Sequence, residues 1–424
     1  MKSIIDQINR KKTWNDYLEF KRKQCSISKR EIEELEGYIE NEKYKKVADE
    51  IVNGTYVFSI PEKHLINKIN KTKKRVVYNF NNDENMILKV ITYLFSKKYD
   101  GKYSENCYSF RKKYTVKDAL KKLCINQKQK DLYGYKIDVQ NYFNSVDVNL
   151  LLPILESFLQ DDTELYKFVK NILIDKRVCF NNVIIEEEKG IMAGVPISSF
   201  LANIFLQDVD EFFKEENVLY ARYSDDIIFF TSKDRVNYYM EKLQQKISEK
   251  GLSLNQDKIQ FIEPADKWDF LGFSYQNGVI DISEISKKKI KGKIKRASRK
   301  LRRWMLKNNA DSNRAISAVI RKFNRKFYMK ENKNELTWQL WYFPVINTTK
   351  SLHEIDLYMQ ECLRYIKTGK YNKSNYKLKY EDLKAMGYKS LVNEYYKYRN
   401  EIKTNVSWNT WKKRKNMILY SRKI

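Results

Sequence analysis

Two adjacent aspartates, Asp225 and Asp226, stand in ARYSDDIIFF (residues 221–230), between residues that favour strands. Burying one carboxylate among such neighbours is costly, and burying two side by side is worse unless a cation neutralises them. A tight hairpin tip that presents both to a divalent ion removes that cost, whereas an ordinary Asp-Asp turn is the plain alternative. Eighty-seven residues earlier, YKIDVQNYFNSVD (135–147) puts Asp138 at the end of an apolar run, with Tyr142 and Phe143 four and five places beyond. A third carboxylate at a strand end completes the oxygen-rich cage that Mg²⁺ prefers, leaving coordination positions for water and triphosphate oxygens. Two such ions would activate an attacking 3′-hydroxyl and stabilise a pyrophosphate leaving group.

Between these segments lies GIMAGVPISSFLANIFL (190–206), a glycine-containing turn running into an amphipathic helix that Ser198 or Ser199 is expected to cap. Glycine lets a backbone approach a nucleotide or base pair closely, and the plain alternative is a strand-to-helix turn. GLSLNQDKIQFI (251–262) follows, with Lys258, and then FLGF (270–273). The order of these four elements is far more specific than any one of them.

The elements that must position these residues are legible as periodicity. Short β-branched runs are expected as strands at 55–60 and 75–80, and longer apolar runs at 134–139, 221–224, 227–230 and 260–263. Helical spacing is expected over 28–48, 84–97, 150–160, 198–215 and 237–250. The fold class is therefore α+β, a sheet covered by helices. Beyond about 285 the composition shifts: residues 287–303 carry eleven basic side chains among seventeen and no acid. Ile290, Ile294, Ala297, Leu301 and Trp304 recur at steps of four and three, so an apolar face opposes a basic comb. A solvated helix face normally mixes both signs, so charge of one sign at this density points to phosphate.

Composition excludes whole classes. The 424 residues hold 82 lysines and arginines against 54 aspartates and glutamates, a net charge of +28 that draws in polyanions, nucleic acid first. Five scattered cysteines (Cys25, Cys107, Cys124, Cys179, Cys362) and two histidines, His64 and His353, argue against a disulfide scaffold, a zinc finger and histidine-based catalysis. No apolar run approaches the roughly 20 residues of a membrane span, and the N-terminal segment lacks a signal-peptide core, which gives the expectation of a soluble cytoplasmic protein.

Taken in order, these motifs resemble those of a reverse transcriptase, which implies a right-hand polymerase architecture of fingers, palm with antiparallel sheet, and α-helical thumb. YKIDVQNYFNSVD resembles the family's first metal-binding motif, GIMAGVPISSFLAN its template- and nucleotide-positioning motif, and YSDD its YxDD box. The resemblance implies that Asp138, Asp225 and Asp226, with the Val139 carbonyl, hold two Mg²⁺ ions, Mn²⁺ being the alternative. Phe143 falls at the family's steric gate against a 2′-hydroxyl, Gly194 in the nucleotide-positioning turn, and Lys258 near a later palm lysine. KKRVVYNF (73–80) and YSFRKKYTVKDAL (108–120) resemble finger motifs, making Arg75 and Arg111 candidates for the incoming deoxynucleoside triphosphate. The expected domains are an N-terminal helical segment (1–60), fingers (61–135), palm (136–285) and a basic helical thumb and C-terminal domain (286–424).

One departure stands out: Met192, Ala193 and Gly194 occupy the place where many family members have Pro-Gln-Gly, which removes an amide that contacts template or nucleotide. Such departures, YSFR, and the C-terminal segments WQLWYFPVIN (338–347), LRYIKTGKYNKSNYKLKYEDL (363–383) and MGYKSLVNEYY (386–396) resemble the bacterial abortive-infection and "unknown group" branch associated with antiphage defence. The type 2 defence-associated members are the nearest in plan. That resemblance implies a bacterial enzyme bound to a structured noncoding RNA, which it copies into complementary DNA. Lys288, Lys291, Lys295, Arg296, Arg299, Arg302 and Arg303 are the expected RNA contacts. Template-independent or protein-primed synthesis, a retron or intron enzyme, and an RNA-binding scaffold with a vestigial polymerase fold remain open alternatives.

Overall fold

The computed structural model describes residues 3–23, 27, 29–67, 74–111, 113–125, 131–328, 337–371 and 377–401. Cys25 and the basic tail at 411–424 lie outside the described residues. The chain forms two compact units, one ending at Asp266 and one beginning at Lys267, ahead of the 285/286 boundary read from the sequence.

The first unit holds two four-stranded sheets. β1 (Glu62–Asn67) and β2 (Lys74–Asn79) form an antiparallel hairpin, and β4 (Arg177–Phe180) and β5 (Val183–Glu186) form another. The two hairpins join through a parallel pairing of Glu62 with Cys179, giving the order β2-β1-β4-β5. The second sheet is antiparallel throughout, in the order β6-β7-β3-β8, from β3 (Tyr133–Asp138), β6 (Leu219–Tyr223), β7 (Asp226–Thr231) and β8 (Gln260–Ile262). Its central strands alternate little, because both faces are buried: Ile137, Ile227, Ile228 and Phe229 are all inaccessible to solvent. Helices Asn82–Tyr99, Val148–Phe158, Ser198–Phe205 and Lys233–Glu249 supply much of the surrounding core. The first of these begins at a reciprocal cap in which Asn81 accepts from the Glu84 N–H while the Glu84 side chain accepts from the Asn81 N–H.

Several expected elements are shorter or broken. Residues 55–60 form no strand. The helix expected over 28–48 is two helices, Lys29–Glu40 and Lys45–Val52, separated by a turn in which Glu42 takes φ +47°. The helix expected over 198–215 divides at Leu206 into Ser198–Phe205 and Gln207–Glu215. Neither candidate serine caps it: Ser198 donates its hydroxyl back to the Ile191 and Met192 carbonyls, and Ser199 donates to the Pro196 carbonyl at 3.0 Å.

The second unit opens with a three-stranded meander, β9 (Trp268–Phe270), β10 (Phe273–Gln276) and β11 (Val279–Ile282), before it becomes helical. Ser283 then caps the basic helix Glu284–Lys307, accepting from the Ser286 N–H at 3.3 Å. Ile290, Ile294 and Ala297 are buried as the periodicity requires, but Trp304 is 38% exposed and Met305 is buried in its place. This helix packs on Ser312–Phe327 and Lys350–Thr368. Among the described residues no helix is long and apolar enough to cross a membrane.

Candidate active site

The register of β3 against β7 places Asp138 directly opposite Asp226. β6 and β7 are joined by only two residues, Ser224 and Asp225, closed by the pair Tyr223 and Asp226. A two-residue hairpin needs positive φ at its tip, and Ser224 supplies it at +61°. The Val139 N–H donates to the Asp225 carbonyl at 3.0 Å, tying the tip to the end of β3. Three carboxylates are thus gathered at one end of the sheet, with buried Val139 beside them.

Their electrostatics follow from that gathering. Burial pushes the Asp225 carboxyl above the usual range, and the neighbouring Asp138 adds to the push, opposed by the Lys258 and Arg75 charges. Burial likewise raises Asp226, to about 6, with Lys136 opposing and Asp225 and Asp138 adding. Hard carboxylate oxygens short of positive charge fit a divalent ion such as Mg²⁺. Among the described residues, however, no three His, Cys, Asp or Glu side chains already converge at ligand distance. Asp138 is otherwise engaged: its Oδ1 accepts from Lys258 Nζ at 2.7 Å and its Oδ2 from Asn255 Nδ2 at 3.3 Å. The Asn255 N–H also donates to the Asp138 carbonyl at 2.8 Å, which places the 3₁₀ turn Gln256–Lys258 over the end of β3.

Beyond β3 the chain reverses through Asn141 at φ +50° into the short helix Tyr142–Ser145, which carries half-buried Phe143. The turn at 190–194 packs against that helix. Gly190 has φ +56°, and a Cβ there would lie 2.5 Å from the Phe143 carbonyl oxygen, which accepts from the Ile191 N–H at 2.8 Å. Gly194 has φ +104°, and a Cβ there would lie 2.8 Å from the Tyr78 carbonyl oxygen. In this structure Gly194 permits close approach to β2. Tyr78 N–H donates to the Ala193 carbonyl at 2.8 Å, and Asn144 bridges the same parts, accepting from the Ala193 N–H at 2.9 Å and donating to the Val76 carbonyl at 3.1 Å.

Arg75 and Arg111 separate in role. Arg75 is exposed on β2, and its charge is felt at Asp225. The Arg111 side chain is 2% exposed and donates to Asp100 Oδ1 at 3.2 Å and to the carbonyls of Asp100, Ser104 and Cys107 at 2.7, 2.6 and 3.0 Å. Its guanidinium also lies 3.8 Å from the Tyr114 ring centroid. With its donors spent inside the protein, Arg111 is an internal clamp and not the free triphosphate ligand expected from the sequence.

The basic helix divides in the same way. Lys287 is buried and paired with Glu284 and Glu354; Lys291 reaches Glu354 at 3.5 Å; Arg302 donates to the Ile366 carbonyl at 2.7 Å. Lys288, Lys295, Arg296, Arg299 and Arg303 are exposed.

Sequence reasoning missed Arg222. It is fully buried, donating from Nε to Asp210 Oδ1 at 2.7 Å and from a terminal nitrogen to Asp210 Oδ2 at 2.5 Å. It also reaches the Asn203 carbonyl at 3.2 Å and, at 3.4 Å, the Ser224 carbonyl in the hairpin tip. The available signal was an arginine set inside an otherwise apolar strand.

Comparison with known proteins identifies a family and several similar chains. The family described as "Reverse transcriptase (RNA-dependent DNA polymerase)" matches residues 60–275, about half of the chain. Retron Ec83 reverse transcriptase of Escherichia coli is 32% identical over 111 residues, 25% of this chain and 34% of that protein, so the match spans about a third of the relative. Among solved structures, apo telomerase from Candida tropicalis has a TM-score of 0.44 at 12% identity, covering 78% of this chain and 67% of that one. Telomerase from Candida albicans in complex with a TWJ fragment of telomeric RNA has a TM-score of 0.42 at 12% identity, covering 82% and 68%.

Proposed function

This chain belongs to the reverse transcriptase (RNA-dependent DNA polymerase) family, and we propose that it copies a bound, structured noncoding RNA into complementary DNA in bacterial antiphage defence. The observation that carries the polymerase reading is the pairing of Asp138 with Asp226 beside the two-residue tip that holds Asp225. Asp138, Asp225, Asp226 and the Val139 carbonyl would hold two Mg²⁺ ions. Held there, the ions would supply Lewis-acid activation of a primer 3′-hydroxyl and charge neutralisation at the pyrophosphate. The protein's own part is positioning. Arg75 contacts the triphosphate, Phe143 stands against the sugar, and Lys258, paired with Asp138 Oδ1 at 2.7 Å, would be free to meet the nucleotide if the carboxylates held cations. The tie between β2 and the 192–194 turn fixes the spacing of Arg75 and Phe143 through the Tyr78–Ala193 backbone bond and the Asn144 side-chain bridge.

The defence reading is supported by the resemblance of the C-terminal segments 338–347, 363–383 and 386–396. The exposed basic residues Lys288, Lys295, Arg296, Arg299 and Arg303 are offered to RNA phosphates, with the RNA selected by its shape and not by its sequence. A retron enzyme is the second reading, favoured by the 32% identity to Retron Ec83 reverse transcriptase.

Purification from the native host, followed by sequencing of bound RNA and of DNA made with Mg²⁺ and all four deoxynucleotides, tests the proposal. A discrete noncoding RNA with DNA complementary to it is the expected result. A branched RNA–DNA hybrid would favour the retron reading, DNA matching no RNA would mean untemplated synthesis, and RNA without DNA would leave only a scaffold.

A further inference from the structure

Phe110 combines two unusual properties: a left-handed backbone at φ +58° and a large apolar ring that is 48% exposed. For a bulky side chain that backbone region carries a steric penalty. Its neighbours explain why the penalty is accepted. Ser109 is fully buried, donating its hydroxyl to Asn203 Oδ1 at 2.7 Å while its carbonyl accepts from Asn203 Nδ2 at 2.9 Å. Arg111, on the other side, is the buried clamp described above. With both flanking residues fixed inside the protein, residue 110 is turned outward. Glycine or asparagine would meet that demand with less strain and no exposed apolar surface, so the outlier itself points to a task for the ring.

The ring's contacts identify the task. Phe110 meets Phe143 edge-on, with centroids 6.2 Å apart and planes at 90°, and lies 6.3 Å from the Tyr223 ring that closes the aspartate hairpin. Among the described residues Phe143 has one further ring neighbour, Tyr142, at 5.8 Å. Tyr142 is buried and anchored, donating its hydroxyl to the Ala202 carbonyl at 2.6 Å. Phe143 therefore has an immobile neighbour in the core and a second one at the surface, delivered by a strained segment that both flanks hold still.

We propose that Phe110 is a specificity-determining positioning residue: it fixes the Phe143 ring so that incoming deoxyribonucleotides are accepted and ribonucleotides rejected. The inference rests on the reading of this site as a DNA polymerase with Phe143 against the sugar. A ring free to rotate makes room for a 2′-hydroxyl, whereas one held edge-on by a neighbour does not.

The test is single-nucleotide incorporation on a primed RNA template, comparing kcat/KM for a matched deoxynucleotide and its ribonucleotide in wild type, Phe110→Ala, Phe110→Gly, Phe110→Tyr and Phe143→Ala. The selectivity ratio is expected to fall roughly three- to tenfold in Phe110→Ala and Phe110→Gly, through gain of ribonucleotide use, and to hold in Phe110→Tyr. Phe110→Gly is expected to keep or raise the thermal midpoint, since glycine relieves the backbone, which separates loss of selectivity from loss of structure. Wild-type selectivity in both Phe110→Ala and Phe110→Gly, with loss in Phe143→Ala, would overturn the inference alone. An unchanged ratio in Phe143→Ala would overturn the gate itself, and absence of DNA synthesis by wild type would overturn the underlying functional reading.

Discussion

Lys258 Nζ donates to Asp138 Oδ1 at 2.7 Å, so the carboxylate that would bind metal already carries an internal cation. The Lys258 side chain is more than half exposed while the Asp138 side chain is nearly buried, so the lysine can leave and the aspartate cannot. In this arrangement Lys258 neutralises Asp138 without metal and must be displaced for both oxygens to become ligands.

Removing the lysine should therefore favour metal. Lys258→Gln is expected to bind Mn²⁺ or Mg²⁺ severalfold more tightly by titration calorimetry, because a competing cation is gone, while nucleotide incorporation slows. Unchanged metal affinity would mean that Lys258 does not compete at the site.

The pH dependence has a defined sign. Folded Asp226 holds its proton up to about 6, against about 3.9 for an unfolded aspartate. A raised folded pKa means that the metal-free protein loses stability as pH rises from about 4 through 6, and does not regain it above. Mg²⁺ requires the ionised form, so the thermal midpoint shift it produces should be largest above pH 7 and fade as pH falls through about 6. A Mg²⁺ shift as large at pH 5 as at pH 7.5 would contradict the assignment.

Arg222 supports the hairpin from within. Arg222→Met leaves Asp210 buried without its countercharge, held only by the Tyr220 hydroxyl at 2.9 Å, and is expected to cost about 3–5 kcal/mol in denaturant unfolding, with the double change Arg222→Met/Asp210→Leu recovering much of it. A loss under about 1 kcal/mol would show the pair to be dispensable.

The basic helix should separate into two behaviours. Replacing Lys288, Lys295, Arg299 and Arg303 by alanine is expected to weaken RNA binding and to flatten its salt dependence by roughly 0.7–0.9 for each phosphate no longer neutralised, with little effect on stability. Arg302→Ala and Lys287→Ala, whose partners are the Ile366 carbonyl and Glu354, should instead lower the thermal midpoint. An unchanged salt slope in the first set would make the comb a solvated face.

The sequence exposed what depends on local pattern. Strand runs at 134–139 and 227–230 and the Asp-Asp pair between them located the carboxylates, and steps of three and four located Ile290, Ile294 and Ala297. It hid what depends on the folded path of the backbone, whether the partners are near or far along the chain. Arg111 has the composition of a phosphate ligand, and only the fold brings Asp100 and the carbonyls of Ser104 and Cys107 around it. Nor does the sequence reveal that Gly194 also packs on the Tyr78 carbonyl, from a strand more than a hundred residues away. The strain at Phe110 has no local signature, because it arises from the burial of Ser109 and Arg111 on either side.

The central claim is that Asp138, Asp225 and Asp226 form one metal-dependent polymerising site. The most direct test is Mg²⁺-dependent DNA synthesis on a primed RNA template by wild type, Asp225→Asn and Asp226→Asn, with RNA binding measured in parallel. Loss of at least about a thousandfold in synthesis in both variants, with RNA affinity retained, is the result this account requires. Synthesis at wild-type rates in either variant would contradict it.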